Sequence, residues 1–182
     1  GGAKTIQLRD KVLSKKELFE IAMNMKKICS AHNILFIVND HLDIALACSA
    51  DGVHLGKNDL PTHVARGLLP IDMILGRSVN TVEQAIAAES EGADYIGLGS
   101  VYPTSSKEKV VVITPSRITE VRKAVNIPIM AIGGIDKDNA LEVIDAGADS
   151  IAVISAILNS EQPEKAAGQI VNAIGAGHAG NY

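Results

Sequence analysis

Tryptophan is absent from the 182 residues and aromatics make up only 3% of them, although hydrophobic residues reach 47%. A core with so few rings must be aliphatic, built from Ile, Val, Leu and Ala. That is typical of parallel α/β proteins, whose strands are buried on both faces. Cysteine is scarce as well. Cys29 and Cys48 show no metal-type spacing and sit in apolar surroundings, which predicts reduced thiols in a cytoplasmic protein rather than a disulfide framework. There is no basic run, and the formal net charge is −4, which argues against a nucleic-acid surface. No apolar run approaches the length that spans a bilayer, so no membrane role is expected. A Ser-His-Asp set and a Walker loop are also missing. Gly97-Leu98-Gly99 lacks the third glycine and following helix of a dinucleotide fingerprint.

What the sequence does contain is an internal echo. Gly2-Ala3-Lys4-Thr5-Ile6-Gln7-Leu8 resembles Ser49-Ala50-Asp51-Gly52-Val53-His54-Leu55. Two more copies start at Gly92 and Gly147. Each copy is a small residue, an Ala, a turn residue and an apolar strand. The small residue suits the left-handed cap that ends a helix. The copies lie roughly fifty residues apart, room for two βα units each, given strands of ~5 residues and helices of ~11. The intervening strands are expected at Ile34–Val38, Met73–Gly76 and Ile127–Ile132.

Helical patterns fill the gaps. Ser14 with Glu17 predicts a capping box and a helix to about Ala31, with Leu18, Ile21, Ala22, Met25 and Ile28 on one face. Further helices are expected from Asp40 or His41 to Cys48, from Pro61 to about Leu68, and over Val82–Glu91 capped by Thr81. Three more should cover Ser116–Val125 behind Pro115, a segment capped by Asp136 and ending at Ala146, and Pro163 to about Ile174. Seven βα units without a hairpin signal give a parallel sheet with right-handed crossovers. An open doubly wound sheet and a closed barrel compete, and the near-constant unit length favours the barrel. The expectation is a single α/β domain over residues 1–182, a TIM (β/α)8 barrel. Its first βα unit would be absent from a chain that opens at Gly1-Gly2-Ala3 without an initiator Met, and its tail from about Gly175 would fray.

In such a barrel the active site lies where the strands end. Past the first strand come Gln7, Arg9 and Lys11, and an Arg inside a strand is costly unless it meets an anion. Asn39 and Asp40 follow the second strand, and His54 and then Asp59 follow the third. Two carboxylates ending successive units can face one point, and hard oxygen ligands without His or Cys suit Mg2+ completed by substrate phosphate oxygens. Either Asp is alternatively a simple helix cap. Ser78 follows the fourth strand. Past the fifth runs Gly99-Ser100-Val101-Tyr102-Pro103-Thr104-Ser105-Ser106-Lys107, whose hydroxyls and lysine suit a phosphate. Gly133-Gly134 and Ser155 follow the last two strands, where barrels commonly bind phosphate.

These motifs, in this order and over nearly the whole chain, resemble the thiamin phosphate synthase family. The matching residues are Gln7-Leu8-Arg9-Asp10-Lys11, Asn39-Asp40, Ala50 to Gly56, Asp59-Leu60-Pro61, Tyr102 to Lys107, Ala131 to Ile135 and Val153 to Ile157. The resemblance implies a transferase of thiamine biosynthesis. It joins 4-amino-5-hydroxymethyl-2-methylpyrimidine diphosphate to a thiazole phosphate and releases pyrophosphate by dissociative, Mg2+-assisted substitution. By position, Asp40 and Asp59 would hold Mg2+. Gln7, Arg9, Lys11, Asn39, Ser78 and Lys107 would surround the diphosphate, with His54 near the pyrimidine. Thr104, Ser106, Gly133, Gly134, Ile154 and Ser155 would take the thiazole phosphate. Small-molecule partners and a cytoplasmic location follow, and a homodimer is allowed. The alternatives are a thiazole tautomerase-like isomerase, which tends to lose the carboxylates and basic set kept here, and a non-catalytic phosphate-ligand binder.

Overall fold

The computed structural model describes residues 1–104 and 112–178. Among these, strands alternate with helices in the order β1 (Thr5–Leu8), α1 (Lys15–Ala31), β2 (Leu35–Asn39), α2 (Leu42–Ala47), β3 (Gly52–Leu55), α3 (Thr62–Leu68) and β4 (Ile74–Val79). There follow α4 (Val82–Ser90), β5 (Tyr95–Gly99), α5 (Pro115–Ala124), β6 (Ile129–Ile132), α6 (Ala140–Asp145), β7 (Ser150–Ala152), α7 (Ser155–Leu158) and α8 (Pro163–His178). The chain is therefore α/β, as its repeat implies. It divides into two compact units, one of residues 4–78 with 90–94, the other of residues 1–3, 79–89 and those from Tyr95 onward.

In the first unit β1 to β4 pair in parallel and in chain order, with Thr5 opposite Leu35, Ile37 opposite Gly52 and Gly52 opposite Ile74. Its core is mostly aliphatic around Phe36, and gathers Leu18, Ala22, Val38, Val53, Leu55 and Leu75. In the second unit β5, β6 and β7 pair in parallel, with Ile96 opposite Ile129 and Met130 opposite Ser150. Ile96, Leu98, Ile118, Val121 and Ile129 are buried there.

Local chemistry explains the helix starts. Ser14 and Glu17 form the expected capping box on α1, which satisfies two otherwise orphan donors. Pro115 occupies the first turn of α5, and Thr81 accepts from Gln84 N at 3.3 Å ahead of α4. Four expectations are corrected. Ile21 and Ile28 are exposed, and the buried stripe of α1 is Leu18, Ala22 and Cys29. Of the two starts expected for α2, the helix takes His41; Asp40 is no helix cap and has φ 65°. The helix after β6 starts behind Asn139 rather than Asp136, because the Asp136 carboxylate accepts from Asp138 N in a preceding turn. Finally, α8 runs on through Gly175 to His178.

The repeat has a physical core that the sequence pattern does not reveal. In three copies the turn residue is an aspartate that binds the preceding strand. Asp51 accepts from Phe36 N at 2.8 Å and from Lys26 Nζ at 2.7 Å. Asp94 accepts from Leu75 N at 2.7 Å and Arg66 Nη1 at 3.1 Å. Asp149 accepts from Ile129 N at 2.8 Å and Arg122 Nη1 at 2.9 Å. Each arginine also caps carbonyls beyond its helix, Pro70 and Met73 for Arg66, Val125 and Ile127 for Arg122. The glycines of these two copies, Gly92 at φ 93° and Gly147 at φ 111°, end their helices against the same arginine stems. In the first copy Lys4 stands at the aspartate's place, and its carbonyl accepts from Leu35 N at 3.0 Å.

Replacing Asp94 by Ala leaves the buried Leu75 N–H without its charged acceptor and should cost about 2 kcal/mol in urea unfolding. A loss below about 0.5 kcal/mol, the level of an ordinary surface substitution, would contradict this role. Asp51 adds a pH dependence. Burial raises its carboxyl pKa, but the Lys26 and Phe36 hydrogen bonds outweigh burial and hold it below the ordinary value of 3.8. Its stabilisation is then complete above the unfolded value and lost as pH falls through the folded one. Acid unfolding of Asp51→Asn should therefore depend less on pH below 4 than that of the wild type.

Candidate functional site

In the first unit the predicted residues gather at the strand ends. Gln7 is half-buried in β1. Arg9 lies just past that strand and is exposed, so it is not the buried strand arginine that its spacing suggests. The Asp10 carboxylate accepts from both Val12 N and Leu13 N at 2.7 Å. This Asx turn shapes the segment carrying Lys11, and its two backbone hydrogen bonds lower the Asp10 pKa. Lys11 Nζ in turn forms an ion pair with Asp40 Oδ2.

Asp40 follows Asn39, which is buried at the end of β2. Its backbone N–H donates to His54 O at 2.8 Å. Asp59 reaches back to accept from Gly56 N at 2.6 Å. A Cβ placed on Gly56 would sit 3.1 Å from Asp59 Oδ2 and 3.6 Å from Asp40 Oδ1, so both carboxylates flank one glycine. A side chain there would fill the space the two acids share. Arg77 of β4 steadies the same turn by donating to Leu60 O at 2.8 Å. His54 is 6% exposed in β3, and its Nε2 lies 2.9 Å from Ser78 Oγ of β4.

The two acids titrate in opposite directions. Burial raises the Asp40 carboxyl, but hydrogen bonds from Lys11 and Asp59 and the charges of Lys11 and Arg9 bring it below the usual range. Burial raises Asp59, the Gly56 N–H opposes this, and the bond to and charge of Asp40 leave it above the usual range. Two carboxylates this close favour a shared proton or a shared cation. Among the described residues no three His, Cys, Asp or Glu side chains form a metal cage. An ion here would rest on two carboxylates and on oxygens from outside the protein, a donor set that fits Mg2+.

In the second unit Gly133 (φ 102°) and Gly134 (φ 65°) form the turn after β6. A Cβ on Gly133 would lie 1.9 Å from Ser100 Oγ, and one on Gly134 2.6 Å from Pro103 O. The segment leaving β5 is laid directly on this turn. Val101 N donates to Ile132 O and Tyr102 N to Gly133 O, each at 3.0 Å. Thr104 is half-buried at its end. Ser105, Ser106 and Lys107 fall outside the described residues. Ile154 precedes α7 and Ser155 is its exposed first residue. Sequence reasoning missed Asp10, Arg77, Tyr102 and Asn139 as supports of the site. Asp10, in its Asx turn, and Asn139, bonded to Asp136 N and Gly134 O, act within a few residues and carry a local signal; Arg77 and Tyr102 act across longer separations.

Parallel βα units with polar residues collected at the strand ends are the arrangement found in β/α enzymes, whose active sites lie at those ends. The model of the family described as thiamine monophosphate synthase matches residues 1–157. The thiamine-phosphate synthase of Methanospirillum hungatei is 55% identical over 161 residues, 88% of this chain and 78% of that protein. That of Clostridium tetani is 46% identical over 91% of this chain and 79% of its own length. The solved structure of a thiamine phosphate pyrophosphorylase from Pyrococcus furiosus matches with a TM-score of 0.90 and 42% identity, over 97% of this chain and 85% of that one. A 3-hexulose-6-phosphate synthase, at 17% identity and a TM-score of 0.72, shares the fold alone. The chain belongs to the thiamine monophosphate synthase family. Its activity is that of a thiamine-phosphate synthase, a transferase of thiamine biosynthesis. Among the described residues no helix is long and apolar enough to cross a membrane.

In the metal-free protein the Asp59 carboxyl carbon should titrate by NMR at higher pH than that of Asp40. Replacing Asp40 by Asn removes the neighbouring charge and should move the Asp59 midpoint down. An unmoved Asp59 midpoint would show that the two acids do not interact.

Proposed function

We propose that the two substrates are divided between the two sets of residues, one in each unit. The set around Asp40 takes the pyrimidine diphosphate, and the set around Gly133 and Gly134 takes the thiazole phosphate. The observation that carries this is the Asp40–Asp59 pair around Gly56, with Lys11 already on Asp40. An acidic pair next to Lys11 and Arg9 suits a metal-bridged diphosphate and suits a bare organic ligand poorly. Asp40 and Asp59 would hold Mg2+. Gln7, Arg9, Lys11, Asn39 and Ser78 would line the diphosphate, joined by Lys107 from outside the described residues, and His54, held on Ser78, would meet the pyrimidine.

In the chemistry this supports, the bond between the pyrimidine methylene and the diphosphate oxygen breaks first, and its electron pair leaves with pyrophosphate. Arg9, Lys11 and Lys107 stabilise the charge growing on the leaving oxygens. Mg2+, when bound, adds Lewis-acid stabilisation of the same oxygens. The thiazole nitrogen then gives its lone pair to the methylene carbon. The thiazole is anchored through its phosphate by Thr104, Ser106, Gly133, Gly134, Ile154 and Ser155. No protein base is needed, which fits the want of a triad or general acid–base pair in the sequence. The strong likeness to the Pyrococcus structure supports the (β/α)8 class and a single domain for residues 1–182. The free, buried thiols of Cys29 and Cys48 fit the reducing cytoplasm.

With both substrates and Mg2+, Asp40→Ala should lower kcat/KM for thiamine phosphate formation by about 100-fold or more. Activity within about threefold of wild type, roughly 0.7 kcal/mol in the barrier, would remove Asp40 from the metal site.

A further inference from the structure

We infer that Tyr102 and Glu142 are a positioning pair for the thiazole-phosphate half of the reaction. This rests on the reading of Gly133, Gly134 and Thr104 given above. The Tyr102 hydroxyl donates to Glu142 Oε2 at 2.8 Å, across forty residues, joining the segment after β5 to α6. Burial and the acceptor carboxylate push the phenol up to about 12, so it stays a donor throughout the working pH range.

Three features make this contact more than a surface hydrogen bond. First, Tyr102 sits at the closest approach of the two backbone segments. Its amide donates to Gly133 O, and its Cβ lies 2.7 Å from where a Gly134 Cβ would be. Any shift of the Tyr102 backbone therefore moves the Gly133-Gly134 turn or the chain leading to Thr104. Second, its carbonyl accepts from Ser100 Oγ at 2.7 Å, which fixes the strand-side end of the segment. Third, the opposite side of the glycine turn is held from α6's own N-cap, where Asn139 Nδ2 donates to Gly134 O at 3.0 Å and Asn139 Oδ1 accepts from Asp136 N at 2.9 Å. Glu142 lies on the first turn of the helix that Asn139 opens. One helix end thus grips both partners, the turn through Asn139 and the loop base through Glu142 and Tyr102. The pair does not touch the reacting atoms. It sets the spacing of donors that must close on a phosphate together, and so acts on binding of that substrate.

The experiment is a steady-state comparison of Tyr102→Phe, Glu142→Ala, Glu142→Gln and the Tyr102→Phe/Glu142→Ala double variant, varying each substrate with the other saturating. Tyr102→Phe and Glu142→Ala should each raise KM for the thiazole phosphate about fivefold, with KM for the pyrimidine diphosphate unchanged and kcat within twofold. Such a change corresponds to about 1 kcal/mol, the scale of one hydrogen bond. The double variant should be no worse than either single one. Glu142→Gln keeps an acceptor oxygen and should stay within twofold of wild type. Equal rises in both KM values, additive losses, or no rise in Tyr102→Phe would overturn the inference. Ser155→Ala, run alongside, separates the two levels. If it raises KM for the thiazole phosphate while the Tyr102 and Glu142 variants do not, the pair is idle and the site reading stands. If none of these variants shifts that KM, the placement of the thiazole phosphate is wrong as well.

Discussion

A carboxylate placed one residue before a strand, bound to the backbone N–H of the strand before it, is the constraint on which the structure depends. Asp51, Asp94 and Asp149 all make this contact, and each is matched by a cation from the helix that leads into that preceding strand. Hydrogen bonds along a parallel ladder do not by themselves fix which residues face each other, since a slip of one residue turns every side chain to the opposite face. A charged acceptor at the start of the pairing fixes it. In each unit the strand ends then arrive in register, and so do the polar residues beyond them.

Strand register also places the residues one strand-length further on. Within the first unit, pairing of β2 with β3 sets Asn39 opposite His54, and pairing of β3 with β4 sets His54 opposite Gly76. This register brings Asp40 N onto His54 O and the His54 ring onto Ser78. In the second unit, pairing of β5 with β6 sets Gly99 opposite Ile132. The chains leaving both strands then meet where only glycine fits, at Gly133 and Gly134. Both positions take a positive φ and have no room for a Cβ, so glycine is required at the base of this loop.

Much of this was legible in the sequence, for reasons that are local. The echo of a small residue, Ala, a turn residue and an apolar strand marks helix ends and strand starts together. Gly92, Gly147 and Ser49 do take the left-handed conformation it implies. The capping box at Ser14 and the proline at Pro115 act within one turn and were readable for that reason. Other features depend on tertiary contacts. Ile21 and Ile28 belong to the apolar pattern of α1, yet this unit buries the narrower stripe through Ala22 and Cys29. Either Asp40 or His41 reads as the start of α2; the structure uses His41, and Asp40 has a positive φ and a backbone bond to β3. The link between Tyr102 and Glu142 pairs a loop with a helix forty residues on, and no spacing rule finds it. The short α7 is too brief to have a periodicity.

The central claim is that the two substrates are divided between the two sets of residues. The most direct test is a pair of amide NMR titrations, one with Mg2+ and pyrophosphate, the other with the thiazole phosphate alone. The account predicts that the first shifts Lys11, Asn39, Asp40 and Gly56, and the second shifts Tyr102, Gly133, Gly134 and Ser155. A thiazole phosphate that shifts the Asp40 set, or that leaves Gly133 and Gly134 unmoved at saturation, would contradict it.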